Sequence, residues 1–180
     1  MTQSVVEPLH EPATEPSGGE SFEVLYRRSL PRVYGYVASL LQDRSAAEDV
    51  TAQAFERAYR KRGSFRASRG SAEAWLFGIA RNAALDELRR RKRRAALHAD
   101  PEDINSPAAE EYAELTLRRE TVRAALATLD PRERDLVSLK FAGGLSNAEI
   151  ARVLRMSESN AGTRLHRAIE KLRKACHDHA

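Results

Sequence analysis

The chain has a single cysteine, Cys176, so no internal disulfide can form and a reducing compartment is expected. Long apolar runs are missing: no stretch approaches the roughly 18 apolar residues of a membrane span. The first twenty residues have neither the basic start nor the apolar run of a secretory signal, and a cytoplasmic location is expected. A catalytic set is also lacking. His10, His98, His166, His177 and His179 are scattered, and no Ser or Cys is grouped with a His and an acid, so neither enzyme activity nor a small-molecule substrate is expected. Cys176, His177 and His179 are neighbours in sequence, but they supply too few ligands for a closed metal site. No metal and no cofactor is expected.

Against these absences, 42% of the 180 residues are apolar and 31% are charged, enough apolar content for one ordinary domain or two small ones. Charge is unevenly placed. Residues 1–20 hold Glu7, Glu11, Glu15 and Glu20 and no Lys or Arg. Residues 95–117 hold Asp100, Glu102, Asp103, Glu110, Glu111 and Glu114, again with no Lys or Arg. The net charge of +4 therefore hides two strongly basic blocks, 21–94 and 118–180, on either side of an acidic connector. Basic blocks attract polyanions at long range.

In chain order, 1–20 is expected to be a disordered acidic tail, since its prolines and acids offer too little apolar surface to offset chain entropy. From Ser21 to Leu41 the apolar spacing is helical, and Pro31 either separates two helices or sits in a first turn. A further helix is expected over Ser45–Lys61, with Ser45 as N-cap and Glu48 completing a capping box. Its inner face is Ala47, Val50, Ala54, Phe55 and Ala58. Its outer face shows Glu48, Asp49, Gln53, Glu56 and Arg57. Arg62–Ser71 is a loop of glycines, serines and arginines around Phe65. Such a loop suits a phosphate or an extruded base, or is an ordinary solvated loop with Phe65 tucked into the core.

Ala74–Arg94 has high helix propensity. Leu76, Phe77, Ile79, Ala80, Ala83, Ala84 and Leu88 form its apolar side. Trp75, Gly78, Asn82, Asp86, Arg89 and Arg93 line another, and six consecutive basic residues, Arg89–Arg94, close the run. Cations for phosphates, polar groups for base edges and a ring for stacking suit nucleic acid. A core helix with a solvated charged end fits the same pattern.

The connector 95–117 carries helix-breaking Pro101 and Pro107. Beyond it, a helix from near Thr116 places Leu117, Val122, Ala125, Leu126 and Leu129 on one stripe. Asp130-Pro131 caps the next, which carries Leu136, Val137, Leu139 and Phe141 and stops at Gly143-Gly144. Ser146 and Glu149 form a capping box for Asn147–Leu154; Arg155-Met156-Ser157 is a turn; the last helix runs from Glu158 to about Ala175. Helix, three-residue turn, helix reads as a helix-turn-helix. The final helix buries Ala161, Leu165, Ile169 and Leu172 and turns Asn160, Thr163, Arg164, Arg167, Lys171 and Lys174 outward, a pattern that suits the major groove. The expected fold is all-α: two small helical domains, the second a helix-turn-helix, on a flexible acidic linker.

The stretches FEVLYRRSLPRVYGYV, AAEDVTAQAFERAYR and AWLFGIARNAALDELRRRKRR, followed by LDPRERDLVSLKFAGGLSNAEIARVLRMS and RLHRAIEKLRK, resemble a bacterial RNA polymerase sigma factor of the extracytoplasmic-function (ECF) class. The resemblance covers Ser21 to Lys174, and the run from Trp75 to Arg90 is its most specific part. It implies a region-2-like domain over 21–94 and a region-4-like domain over 118–176. It also implies roles. Glu48, Asp49, Gln53 and Glu56 would bind core polymerase. Phe65, Arg69, Trp75, Arg81, Asn82, Asp86 and Arg89 would read and melt the −10 element. Ser159, Asn160, Thr163, Arg164, Arg167 and Lys171 would read the −35 element of promoter DNA. The acidic connector would lie along the polymerase's RNA path, and an anti-sigma factor would hold the chain inactive.

Four positions depart from the usual pattern. Ala52 stands where a glutamine is common, Gly162 where a basic residue is common, and Asn160-Ala161 where Thr-Val is usual. Other readings of the same residues are a free-standing helix-turn-helix regulator on operator DNA, a single-strand or RNA-binding module, and a protein adaptor. Dependence on core polymerase separates them from the sigma reading.

Overall fold

The computed structural model describes residues 21–97 and 121–178. The described residues are helical, with seven α-helices and two short 3-10 turns. The first region holds α1 (Phe22–Leu41), α2 (Arg44–Lys61), the turns Arg62–Ser64 and Ala67–Arg69, and α3 (Ala72–Leu97). The second holds α4, described over 121–127, then α5 (Pro131–Phe141), α6 (Asn147–Leu154) and α7 (Glu158–Asp178). The expectations for 1–20 and for most of the acidic connector lie outside the described residues. No described helix is long and apolar enough to cross a membrane.

Each helix of the first region buries the stripe its sequence spacing dictates. From α1 come Leu25, Val33, Tyr36, Val37, Leu40 and Leu41; from α2, Ala47, Val50, Ala54, Phe55 and Ala58; from α3, Leu76, Phe77, Ala80, Ala83 and Ala84. Small alanines on α2 and α3 let the helices approach closely, and the three pack pairwise. In the second region α7 lies across α5 and α6, with Ala161, Leu165 and Ala168 against Leu136, Leu139 and Ile150.

The caps explain most boundaries. Ser21 accepts from the Val24 N–H at 3.4 Å, and Gln42 ends α1 in the left-handed conformation, φ 52°. Asp130 and Ser146 each form complete capping boxes with Glu133 and Glu149, as their spacing predicts. Arg155, φ 55°, turns the chain between α6 and α7. Gly144, φ 62°, makes the turn after α5, where a side chain would be strained and would meet the Arg32 guanidinium at 3.0 Å.

Several expectations are corrected. The N-cap of α2 is Asp43, whose carboxylate accepts from the Ala46 N–H at 3.0 Å, so the helix starts before Ser45. Pro31 neither separates two helices nor opens one: α1 runs through it. A proline inside a helix costs about 3 kcal/mol, which the buried residues on both sides of it offset. Val122 and Phe141 are 49% and 65% exposed rather than inward-facing. The helix expected to end at Arg94 continues to Leu97, and the last helix to Asp178.

The two regions also pack on each other. α1 meets α5, α3 meets α6, and one apolar cluster runs from Leu25 through Phe77 to Leu136 and Leu165.

Candidate nucleic-acid interface

Three surfaces carry the residues singled out by the sequence. The first is built by the loop between α2 and α3. Its two 3-10 turns fold it tightly, and Ser71 ends it by accepting from the Ala74 N–H at 3.1 Å. Phe65 is tucked inward, only 8% exposed, with its ring 5.6 Å from that of the half-buried Trp75. Phe65 therefore packs against Trp75, and both residues line the cleft. Arg66 donates to the Gly63 and Phe65 carbonyls at 2.8 and 2.9 Å, which stiffens the loop.

In front of Trp75 lies a cleft of about 680 Å³. Arg66, Arg69, Arg81 and Asn82 line one side, Arg152 and Arg155 the other, and no acid lines it. Five guanidinium groups, one of them (Arg81) neutralised by Asp135 behind the wall, make a positive hollow. Further along α3, Asp86 and Arg89 are exposed and joined at 3.1 Å, and Arg57 of α2 stands 3.9 Å from the same carboxylate. Asp86 thus holds two arginines on this face.

Arg81 is placed differently from its neighbours. Its Nε donates to Asp135 Oδ2 of α5 at 2.7 Å. The other oxygen of Asp135 accepts from the Tyr36 hydroxyl, also at 2.7 Å. Burial, reinforced by the Asp135 carboxylate, raises the Tyr36 hydroxyl well above its ordinary pKa. Asp135 is 4% exposed and Tyr36 fully buried, and sequence reading singled out neither. A signal was present: Asp135 stands four residues before Leu139, a carboxylate on the buried stripe of α5.

The second surface is α7. Ser159, Asn160, Thr163, Arg164, Arg167 and Lys171 are all exposed, on the face away from Ala161, Leu165 and Ala168. Arg164 Nε donates to Asn160 Oδ1 at 3.1 Å, one turn apart, and Lys171 is paired with Glu133 of α5. Gly162 has room for a side chain: a Cβ there would meet Asn147 Nδ2 at 3.6 Å, an ordinary contact.

The third surface is the outer face of α2, where Glu48, Asp49, Gln53 and Glu56 are exposed. Asp49 and Gln53 share a small cleft with Asp43, Glu87 and Arg90. Burial would raise the Glu87 carboxyl, but hydrogen bonds from Arg91 and Arg90 outweigh it and hold its pKa below the usual range. No group of three or more His, Cys, Asp or Glu that could hold a metal occurs among the described residues.

Residues 25–94 match the family model described as Sigma-70 region 2, and residues 119–172 match that of Sigma-70, region 4. The chain is 36% identical over 157 residues to the RNA polymerase sigma factor CarQ of Myxococcus xanthus, covering 86% of this chain and 88% of that protein. It is 29% identical over 163 residues to the ECF RNA polymerase sigma factor SigK of Mycobacterium tuberculosis, covering 85% and 84%. The fold is similar to the sigma factor RpoE in its co-crystal with the anti-sigma factor NepR from Bartonella quintana, with TM-score 0.74, 26% identity, and 86% and 95% of the two chains covered. It is also similar to CnrH in complex with the cytosolic domain of CnrY, with TM-score 0.64, 25% identity and 88% of each chain covered.

Proposed function

This chain belongs to the ECF sigma factors, the subunits that direct RNA polymerase to promoters, and we propose how its two helical regions divide that work. Region 2, 21–94, reads and melts the −10 element. A base leaving the duplex loses a few kcal/mol of stacking. Trp75 supplies a ring in return, Asn82 a polar edge, and region 2's own Arg66, Arg69 and Arg89 the countercharge for the strand. Phe65 packs against Trp75, and Asp86 orients Arg89.

Region 4, 118–176, reads the −35 element as duplex. Asn160, Thr163 and Arg164, near the start of α7, meet base edges; Arg167 and Lys171, further along, meet phosphates. The exposed face of α2 around Asp49 and Gln53 docks on core polymerase. The acidic connector lies in the polymerase along the RNA path, and the chain works in the cytoplasm under an anti-sigma factor, as the complexes of its structural relatives suggest. The observation that carries the reading is the arginine-rich loop, with Arg66 and Arg69, beside Trp75 and Asn82 of α3.

Run-off transcription with purified core polymerase, on genomic fragments including the gene's own upstream region, tests it. Transcripts that need this protein are expected, and Asp49→Lys should remove both co-migration with core and transcripts. A protein that binds duplex as tightly without core, and yields no transcript with it, would instead be an operator-binding regulator.

A further inference from the structure

The six consecutive cations Arg89–Arg94 look like one nucleic-acid-binding run in the sequence, but α3 does not present them together. At 3.6 residues per turn, Asp86, Arg89 and Arg93 share one side, and Glu87, Arg90 and Arg91 share another. The contacts follow that division. Arg89 joins Asp86, which also faces Arg57. Arg90 and Arg91 both join Glu87, and Arg91 goes on to Asp43 at the start of α2. We infer that Arg90 belongs to the face that docks on core polymerase and not to the DNA face: the docking surface spans α2 and the C-terminal part of α3, and Arg90 is its cation. The inference rests on the proposed docking of α2 on core.

Two carboxylates hold this corner of the fold. Asp43 Oδ1 accepts from the Ala46 N–H at 3.0 Å and so caps α2, while its Oδ2 accepts from Arg91 Nη2 at 2.9 Å. Arg91 Nε donates to Glu87 Oε1, also at 2.9 Å. One guanidinium thus ties the first turn of α2 to α3. Glu87 is 8% exposed, and a carboxylate that deep needs opposite charge beside it. Arg90 and Arg91 both supply it. Arg91 is shared between Asp43 and Glu87, and its side chain is 28% exposed; that of Arg90 is 54% exposed. Arg90 is therefore the cation of the pair that a partner can reach.

What Arg90 shares its surroundings with is the docking face itself. Arg90 and Glu87 line a cleft of about 170 Å³ together with Asp43, Asp49 and Gln53 of α2. Three carboxylates beside one guanidinium repel a phosphate backbone, so DNA is a poor occupant. The occupant that fits is a polar segment of core with charges of both signs, a cation for Asp49 and a carboxylate for Arg90. A guanidinium carries five N–H donors, and Glu87 engages Nη2, so Arg90 can donate to that carboxylate without leaving Glu87. Opposite charges in one cleft also fix register, because a segment seated the wrong way round meets a like charge at each end. Elsewhere on the face, Glu48 and Glu56 are joined to Arg44 and Arg60 one turn away, at 3.2 and 2.6 Å. Those pairs lie within α2, whereas Arg90 brings its charge from another helix.

Neighbouring charge reversals in the full chain test this. A fluorophore on the single cysteine, Cys176, reports binding to purified core polymerase by anisotropy, with no DNA present. Arg89→Glu and Arg90→Glu change the net charge equally, one residue apart. Arg90→Glu should weaken core binding about tenfold or more, and Arg89→Glu should leave it near the parent's. Arg90→Gln, which removes the charge without reversing it beside Glu87, should fall between, and equal urea midpoints for Arg90→Gln and the parent show that the fold survives. Arg90→Lys places an amine at the same position. A carbodiimide should couple it to a carboxylate of core, with the cross-link mapped to residue 90. Unchanged core affinity in Arg90→Glu, while Asp49→Lys abolishes it, would overturn the inference and leave the α2 reading standing. So would equal losses from Arg89→Glu and Arg90→Glu, no cross-link at residue 90, or a holoenzyme that loses only DNA affinity, which would make Arg90 a phosphate contact. Full core affinity in Asp49→Lys would remove the α2 reading and this inference with it.

Discussion

On region 4 the reading groups stand on one helix. Every candidate from Ser159 to Lys171 lies on the exposed face of α7, and the helix is held from below by Ala161, Leu165 and Ala168. Region 2 assembles its groups from a loop and from α3, with Trp75 packed on Phe65 and Arg81 bonded to Asp135. The contrast follows from what each would read. A duplex groove accepts a preformed helix. An unpaired base needs a pocket, and a pocket needs several elements around it. One consequence is that the α7 surface is exposed in this fold while Arg81 of region 2 is bonded to Asp135.

That contrast can be broken or sharpened at several places. The largest effect is expected from Arg164→Ala, which should weaken −35 duplex binding by the holoenzyme about tenfold or more, the worth of a base contact. Lys171→Ala, a phosphate contact, should weaken binding alike on all sequences and lower the salt slope by about one. Competition binding on wild-type and scrambled −35 duplexes separates the two. If both variants behave alike, α7 does not divide into base-reading and phosphate-holding ends. Gly162→Ala should stabilise α7 by about 1 kcal/mol, read as a higher urea midpoint, since the site has room for the methyl group. No gain would mean that Gly162 serves packing that α6 does not reveal.

The smallest expected effect is a pH dependence at the junction of the regions. Burial would raise the Glu149 carboxyl, but hydrogen bonds from Ser71 and Ser146 outweigh it and hold its pKa below the usual range. The folded value is thus lower than the unfolded one. Its contribution to stability is complete above about pH 4.3 and is lost as pH falls through the folded value. Urea midpoints should stay level from this carboxylate's point of view between pH 7 and 5, then drop in acid. Glu149→Gln should make that drop shallower without removing it, because Asp43, Glu87 and Asp130 are lowered as well. An identical acid profile would remove Glu149 from the junction's energetics.

The sequence made α7 legible because a solvated recognition face and a buried stripe alternate at helical period, and no distant residue is needed to see either. Caps with local partners, Asp130 with Glu133 and Ser146 with Glu149, were legible for the same reason. Asp43 was missed as the α2 cap because Ser45 offers an equally good local pattern, and the choice depends on where α1 releases the chain. The burial of Phe65 depends on Trp75 ten residues on, so the loop's composition alone left it open. Tyr36 and Asp135 are ninety-nine residues apart, and only the packing of α5 on α1 joins them. The pairing of whole regions was out of reach, because each carries a self-sufficient helical pattern that says nothing of the other.

The division of labour is tested most directly by permanganate footprinting of unpaired thymines on a promoter that this protein directs, run beside −35 binding. Asn82→Ala with Arg89→Ala should leave −35 binding near the parent's and suppress thymine reactivity about tenfold or more. Arg164→Ala should reduce −35 binding, with reactivity recovering once holoenzyme is raised to saturation. Equal loss of both steps in all variants would contradict the assignment of opening to region 2 and duplex reading to region 4.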